Sequence, residues 1–130
     1  MTTSYPYATH LDIKFAPFEK IELAPLIDAV RDQWYNQTLC RVNDSIVRLG
    51  VMQGVYHWHK HDHDDEFFFC LDGLFVVDLD PSDAGEPGTV IELRPREGVT
   101  IPKGVVHRTR APERSVILMV EPATIIPTGD

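Results

Sequence analysis

Positive charge is scarce in this 130-residue sequence: 12 lysines and arginines face 20 aspartates and glutamates, a net charge of −8. A surface of that sign repels phosphate backbones and anionic lipid headgroups, so nucleic acid and membrane are excluded as expected partners. Cysteine is nearly absent. Cys40 and Cys70 alone make no disulfide framework and are expected to be buried free thiols in a cytoplasmic protein. Long apolar runs are missing too; none exceeds five residues, as at 116–120, far too short to span a bilayer. The opening MTTSYPYATH shows neither the basic nor the apolar region of a secretory signal, which agrees with a cytoplasmic location. With 43% hydrophobic and 25% charged residues, wholesale disorder is excluded. The length suits one domain whose core needs no staple.

What is present begins with punctuation. Ten prolines and eight glycines argue against a bundle of long helices. Leu11, Ile13 and Phe15 alternate within 10–18, a strand signal. Leu23, Leu26, Ile27, Val30 and Trp34 then follow helical spacing, with Pro25 in the first turn, where a missing N–H is harmless. Past Trp34 the period becomes two. Short strands are expected over 38–42, 45–56, 66–71, 74–79, 89–93, 99–101 and 115–120. Asp72-Gly73 supplies the positive φ angles of a tight hairpin between the third and fourth of these. The reading is all-β, a barrel or two-sheet jelly roll over 38–130, preceded by an arm and helix over 1–37. The run Glu66-Phe-Phe-Phe-Cys-Leu71 is apolar on both alternating faces after the glutamate. Such a strand needs a second layer outside the barrel, supplied by the helix or by another subunit, so a homodimer is expected.

The chemistry lies in the histidines. Of six, four stand at 57, 59, 61 and 63. On an unbroken strand they would line one face, and four imidazoles on one face make no ordinary core, because each brings a nitrogen that must be satisfied. Glu66 follows after a short acidic reversal, and a carboxylate beside two neutral imidazoles combines charge compensation with a hard oxygen. A further histidine, His107, follows the Pro102/Gly104 turn. Three imidazoles and one carboxylate leave open positions on a six-coordinate ion, as a catalytic site requires.

The strings Gly54-x4-His59-x-His61-x4-Glu66-x6-Gly73 and Pro102-x-Gly104-x2-His107 resemble the two motifs of the cupin superfamily, the first with one residue fewer after its leading glycine. Trp58-His-Lys-His61, Asp65-Glu66-Phe67, Glu121-Pro122 and the closing Thr128-Gly-Asp130 are similar to small single-domain cupins of the mannose-6-phosphate-isomerase-like group. The resemblance covers roughly 38–130. It implies a double-stranded β-helix holding a divalent metal (zinc, iron, manganese, nickel or cobalt) through His59, His61, Glu66 and His107. Two positions depart from the pattern: Arg96 stands where the second motif has a glycine, and Ala111 where it has an asparagine. His57 and His63 are additional. His57 shares the inner face and is the candidate catalytic proton carrier, whereas His63 belongs to the reversal. Asp62, Asp64 and Asp65 are rival oxygen donors, expected to be solvated; Trp58 is expected to face away from the metal and pack. Any of Arg48, Arg94, Arg96, Lys103, Arg108 and Arg110 could hold an anionic substrate group.

Three activities fit a small-molecule ligand at such a site: Lewis-acid isomerisation of a sugar or keto compound, dioxygen chemistry, and binding without turnover. Phe68 and Cys70, on the face of Glu66, favour a compact organic ligand over a sugar phosphate.

Overall fold

The computed structural model describes residues 7–130. Its elements there are β1 (Ala8–His10), α1 (Leu23–Ala29), β2 (Trp34–Val42), β3 (Ser45–Val55), β4 (Glu66–Asp72), β5 (Phe75–Leu79), β6 (Thr89–Leu93), β7 (Gly98–Ile101) and β8 (His107–Pro122). No helix among the described residues is long and apolar enough to cross a membrane. The architecture is the expected jelly roll, and the long strand β8 organises it. Its second half lies between β3 and β4, with Ile117 opposite both Gly50 and Cys70. Its first half pairs with β5, with Thr109 opposite Val77. β7 then extends from β4 and β6 from β5, and among the described residues only β1 runs parallel to its neighbour, β2.

Alternation along these strands sorts the residues into two layers. The inward positions of β3, β4, β5 and β8 (Met52, Phe68, Cys70, Phe75, Val77, Ile117 and Met119) fill the barrel. The outward positions Leu39, Leu49, Val51 and Val116 form a second apolar layer, covered by Leu23, Leu26 and Ile27 of α1 together with Phe15 and Ile21. Each large side chain buried in these layers contributes about 1.5–3 kcal/mol. Outside them, Phe67 and Phe69 stack on each other on the outer face of β4, and nearby Val120 stays exposed.

Three local expectations are corrected. The helix ends at Ala29, and Val30 is already extended at φ −70°, ψ 128°. Trp34 continues the helical spacing in sequence, yet it pairs with Met52 and faces the interior. The helix has no side-chain N-cap, no first-turn acid and no last-turn base, so little opposes the ladder that claims Trp34. In the N-terminal arm the strand is Ala8–His10 rather than 10–18. Beyond it, Lys14 and Phe15 donate backbone N–H bonds to Thr38 and Leu39, while Leu11 and Ile13 are exposed.

The third correction concerns Asp72-Gly73, which closes no hairpin. β4 and β5 pair with different halves of β8 and not with each other, so the turn is a corner between two sheets. Gly73 sits at φ +86°, and a Cβ there would come within 2.6 Å of the Arg114 carbonyl oxygen. Strain and crowding act together, so Gly73→Ala is expected to destabilise the protein by about 1–3 kcal/mol, read as a lower urea midpoint with unchanged slope.

Candidate metal centre

The histidines do not continue a regular strand. Gly54, at φ +117°, accompanies a register slip between β3 and β8, and β3 ends at Val55. What brings the imidazoles together is an isolated bridge. His59 donates its backbone N–H to the His107 carbonyl at 2.9 Å, and His107 donates to the His59 carbonyl at 2.8 Å. The His61 carbonyl in turn accepts the N–H of Gly104, which anchors this segment to the turn before β8. Glu66 opens β4 opposite Ile101 and points inward, on the same face as Phe68.

As a result, one ligand atom from each of His59, His61, Glu66 and His107 lies within 4.8 Å of all the others. Ligands around one ion at about 2.0–2.4 Å span no more than roughly 4–4.8 Å, so the four can share one ion. Glu66 Oε1 stands 3.5 Å from His61 Nε2 and 3.4 Å from His107 Nε2. Those gaps are too long for good hydrogen bonds and close to the spacing of ligands on a common ion with bonds of about 2.1 Å. His59 Nδ1 lies 2.9 Å from the His57 carbonyl and His107 Nδ1 2.9 Å from the Val105 carbonyl. A carbonyl only accepts, so each Nδ1 carries the hydrogen and each Nε2 keeps its lone pair. The buried His61 nitrogens, His107 Nε2 and Glu66 Oε1 have no hydrogen-bond partner. Orphaned lone pairs converging in a dry interior are the chemistry of a metal site.

A model of the cupin domain matches residues 46–121. YdbB of Bacillus subtilis (strain 168), an uncharacterised protein, is 36% identical over 99 residues, 76% of this chain and 82% of its own. The chain belongs to the cupin family. A cupin-2 domain protein of Shewanella frigidimarina superposes with a TM-score of 0.69 at 26% identity, covering 78% of this chain and 93% of that one. Hydroquinone 1,2-dioxygenase from Sphingomonas sp. TTNP3, solved with 4-hydroxybenzoate bound, shares the fold at 18% identity and a TM-score of 0.69 over 90% of this chain and 37% of its own.

The electrostatics of this cupin favour ligation. Burial, then the neighbouring His107 ring, lower the His59 pKa to about 4, so the ring is neutral at ordinary pH. Burial pushes the Glu66 carboxyl up, but its close neighbours Glu121, His107 and His61 outweigh it and hold Glu66 well below the usual carboxylate range. The adjoining Glu121 is pushed well above that range, first by burial and then by Glu66. A pH dependence follows for the metal-free protein. His59 titrates near 6.5 when unfolded and near 4 when folded, so between those values the unfolded chain binds more protons. The stability that His59 contributes is complete above pH 6.5 and is lost as pH falls toward 4. Melting temperatures of chelator-treated protein should fall across that window, and those of a His59→Gln variant should fall less.

The remaining sequence candidates are placed as follows. His57 is half-buried, stacked on Tyr56 at 4.5 Å, with its Nε2 2.7 Å from the Thr128 carbonyl. His63 is exposed. The Asp62 carboxylate pairs with Lys60, and Asp65 Oδ1 accepts the Lys103 N–H at 2.9 Å, so neither competes with Glu66. Trp58 faces away and bonds the Gly85 carbonyl, with Arg108 over its ring. Arg108 and Arg110 both clamp the buried Asp78. Arg96 adopts φ +75°, the left-handed conformation that suits the glycine it replaces. Arg48 alone among the cations considered is fully inside, 2% exposed and bound through Nη1 to Glu121 Oε1 at 2.8 Å.

Sequence reasoning missed Glu121, Asn36 and Tyr56 as parts of the interior and did not single out Arg48. A signal existed. Glu121 continues the inward parity of Ile117 and Met119, and Arg48 that of Met52, so each puts a charge where alternation demands an apolar residue. Between these residues and the ligand cluster lies a cavity of about 30 Å³, bordered by His59, Glu66, Arg48, Asn36, Phe68 and Met119 among others.

Proposed function

We propose that this cytoplasmic cupin holds one divalent metal ion on His59, His61, Glu66 and His107 and there acts on a compact, oxygen-bearing organic molecule. The observation that carries this reading is the convergence of three imidazoles and one carboxylate, with unpaired buried donor atoms, beside a small cavity. When bound, the ion supplies charge and open coordination positions. The chain does the rest. Nδ1 contacts to backbone carbonyls fix the orientation of His59 and His107, Glu66 offsets the positive charge, and Phe68, Phe75 and Met119 exclude water. The space suits a few heavy atoms and not a hexose phosphate, which speaks against the mannose-6-phosphate-isomerase-like reading.

His57 is half-buried with its ring 5.0 Å from that of His59, and there it would pass protons between ligand and solvent. A His57→Gln protein should lose about 100-fold or more in turnover while keeping its full metal content, which elemental analysis would check.

Reconstitution with Zn and with Fe(II), screened against small keto acids, phenolic chelators and sugar phosphates with an oxygen electrode, tests the proposal. Turnover of a small keto acid is expected. Oxygen uptake confined to the iron form would assign dioxygen chemistry, and turnover by both forms without uptake would assign Lewis-acid chemistry. Sugar-phosphate turnover by the zinc form would overturn the substrate reading, and inactivity throughout would leave a binding protein.

The outer face of β4 fits a second copy of the chain. Phe67 and Phe69 lie outside the layer that α1 covers, next to exposed Val120, and a self-complementary patch of this kind is what a two-fold dimer buries. Sedimentation at micromolar concentration should give a dimer, and Phe69→Glu a monomer.

A further inference from the structure

Arg48 is the largest side chain in the fully buried interior, and it is only half used. Nη1 is taken by Glu121, but Nε and Nη2 have no partner. Those two atoms form one edge of the guanidinium, the planar two-donor fork that matches a carboxylate bidentately. Leaving it unmet in a dry interior is costly, and Arg48 lines the cavity that reaches Glu66 and His59. Asn36 lines the same cavity, and its Oδ1 is also buried and unpaired, an acceptor looking for a hydroxyl.

The charges point the same way. With a divalent ion on the ligand cluster, the interior holds three positive charges, two on the ion and one on Arg48. Glu66 and Glu121 offset at most two of them. Whatever the protonation of Glu121, positive charge is left over, and an anion entering the cavity would meet it.

We propose that this cavity is a carboxylate pocket, in which the free edge of Arg48 receives the carboxylate of a compact hydroxy acid and Asn36 Oδ1 accepts its hydroxyl. A volume of about 30 Å³ accommodates the centres of two or three water-sized groups, which limits the acid to a few heavy atoms. The inference deepens the proposed function by naming the ligand class, and it rests on the metal only for the surplus charge.

The test uses the full chain, ¹⁵N-labelled, zinc-loaded and zinc-free, titrated with glycolate and with its neutral amide, glycolamide. The Arg48 Nε–H resonance of the wild-type protein should shift saturably with glycolate and stay in place with glycolamide. Calorimetry on Arg48→Lys, which keeps the charge and loses the fork, should show glycolate binding at least tenfold weaker, glycolamide binding within twofold of wild type, and the same zinc content. An Arg48 resonance blind to glycolate, or equal losses for both probes in the variant, overturns the pocket and leaves water as the partner of the fork. If Arg48→Lys does not fold, the wild-type resonance alone decides. Absence of zinc from the loaded protein would count against the metal reading, whereas a glycolate shift in the zinc-free chain would still support the carboxylate pocket.

Discussion

A His61→Ala protein is expected to fold normally and to lose its metal. Affinity should fall by more than about 100-fold, since even the loss of an outer partner of a metal ligand typically costs 10–100-fold. Metal per chain should therefore drop from about one to near zero after dialysis. Stability should change little, because His61 is buried with both ring nitrogens unpaired and the barrel rests on the apolar interior and the layer under α1. The modest remaining cost is the space left by the ring, about 1–2 kcal/mol. Elemental analysis with far-ultraviolet circular dichroism checks both halves. Full metal content in the variant would remove His61 from the shell.

The second large effect is on stability. Arg48→Met should cost about 3–5 kcal/mol at neutral pH, because it leaves Glu121 beside Glu66, two buried carboxyls with no cation against them. For a chain of this length that is a fall in melting temperature on the order of 10–20 °C. Adding Glu121→Leu removes the stranded group, and the Arg48→Met/Glu121→Leu protein should recover more than half of the loss. Thermal denaturation of the two single variants and the double variant checks this. Additive losses would mean that Arg48 and Glu121 stabilise the protein separately.

These two predictions draw on different levels of legibility. The strands were readable because alternation and turn residues report burial directly, as in the outward Phe67 and Phe69 beside the inward Phe68 and Cys70. The ligand residues were readable because metal chemistry restricts residue type and the motif restricts spacing. Other features depend on pairing at long range. Nothing local distinguishes an Asp72-Gly73 hairpin from a corner, since the difference lies in which half of β8 each flanking strand meets. Trp34 fits the spacing of a helix and the ladder of a strand, and its contact with Met52 decides. His57, His59 and His61 would share one face if the strand ran unbroken that far, whereas the chain leaves the ladder at Gly54 and a single bridge to His107 gathers two of the ligands. Arg48 stood in a list of six cations. Its inward parity in β3 was visible, but its partner Glu121 lies 73 residues away.

Anomalous diffraction from crystals of tag-free protein grown with cobalt tests the central claim most directly. The account predicts one strong peak with His59, His61, Glu66 and His107 at about 2.0–2.4 Å. A peak held instead by Asp62, Asp64 or Asp65, or no peak inside the barrel at full cobalt loading in solution, would contradict it.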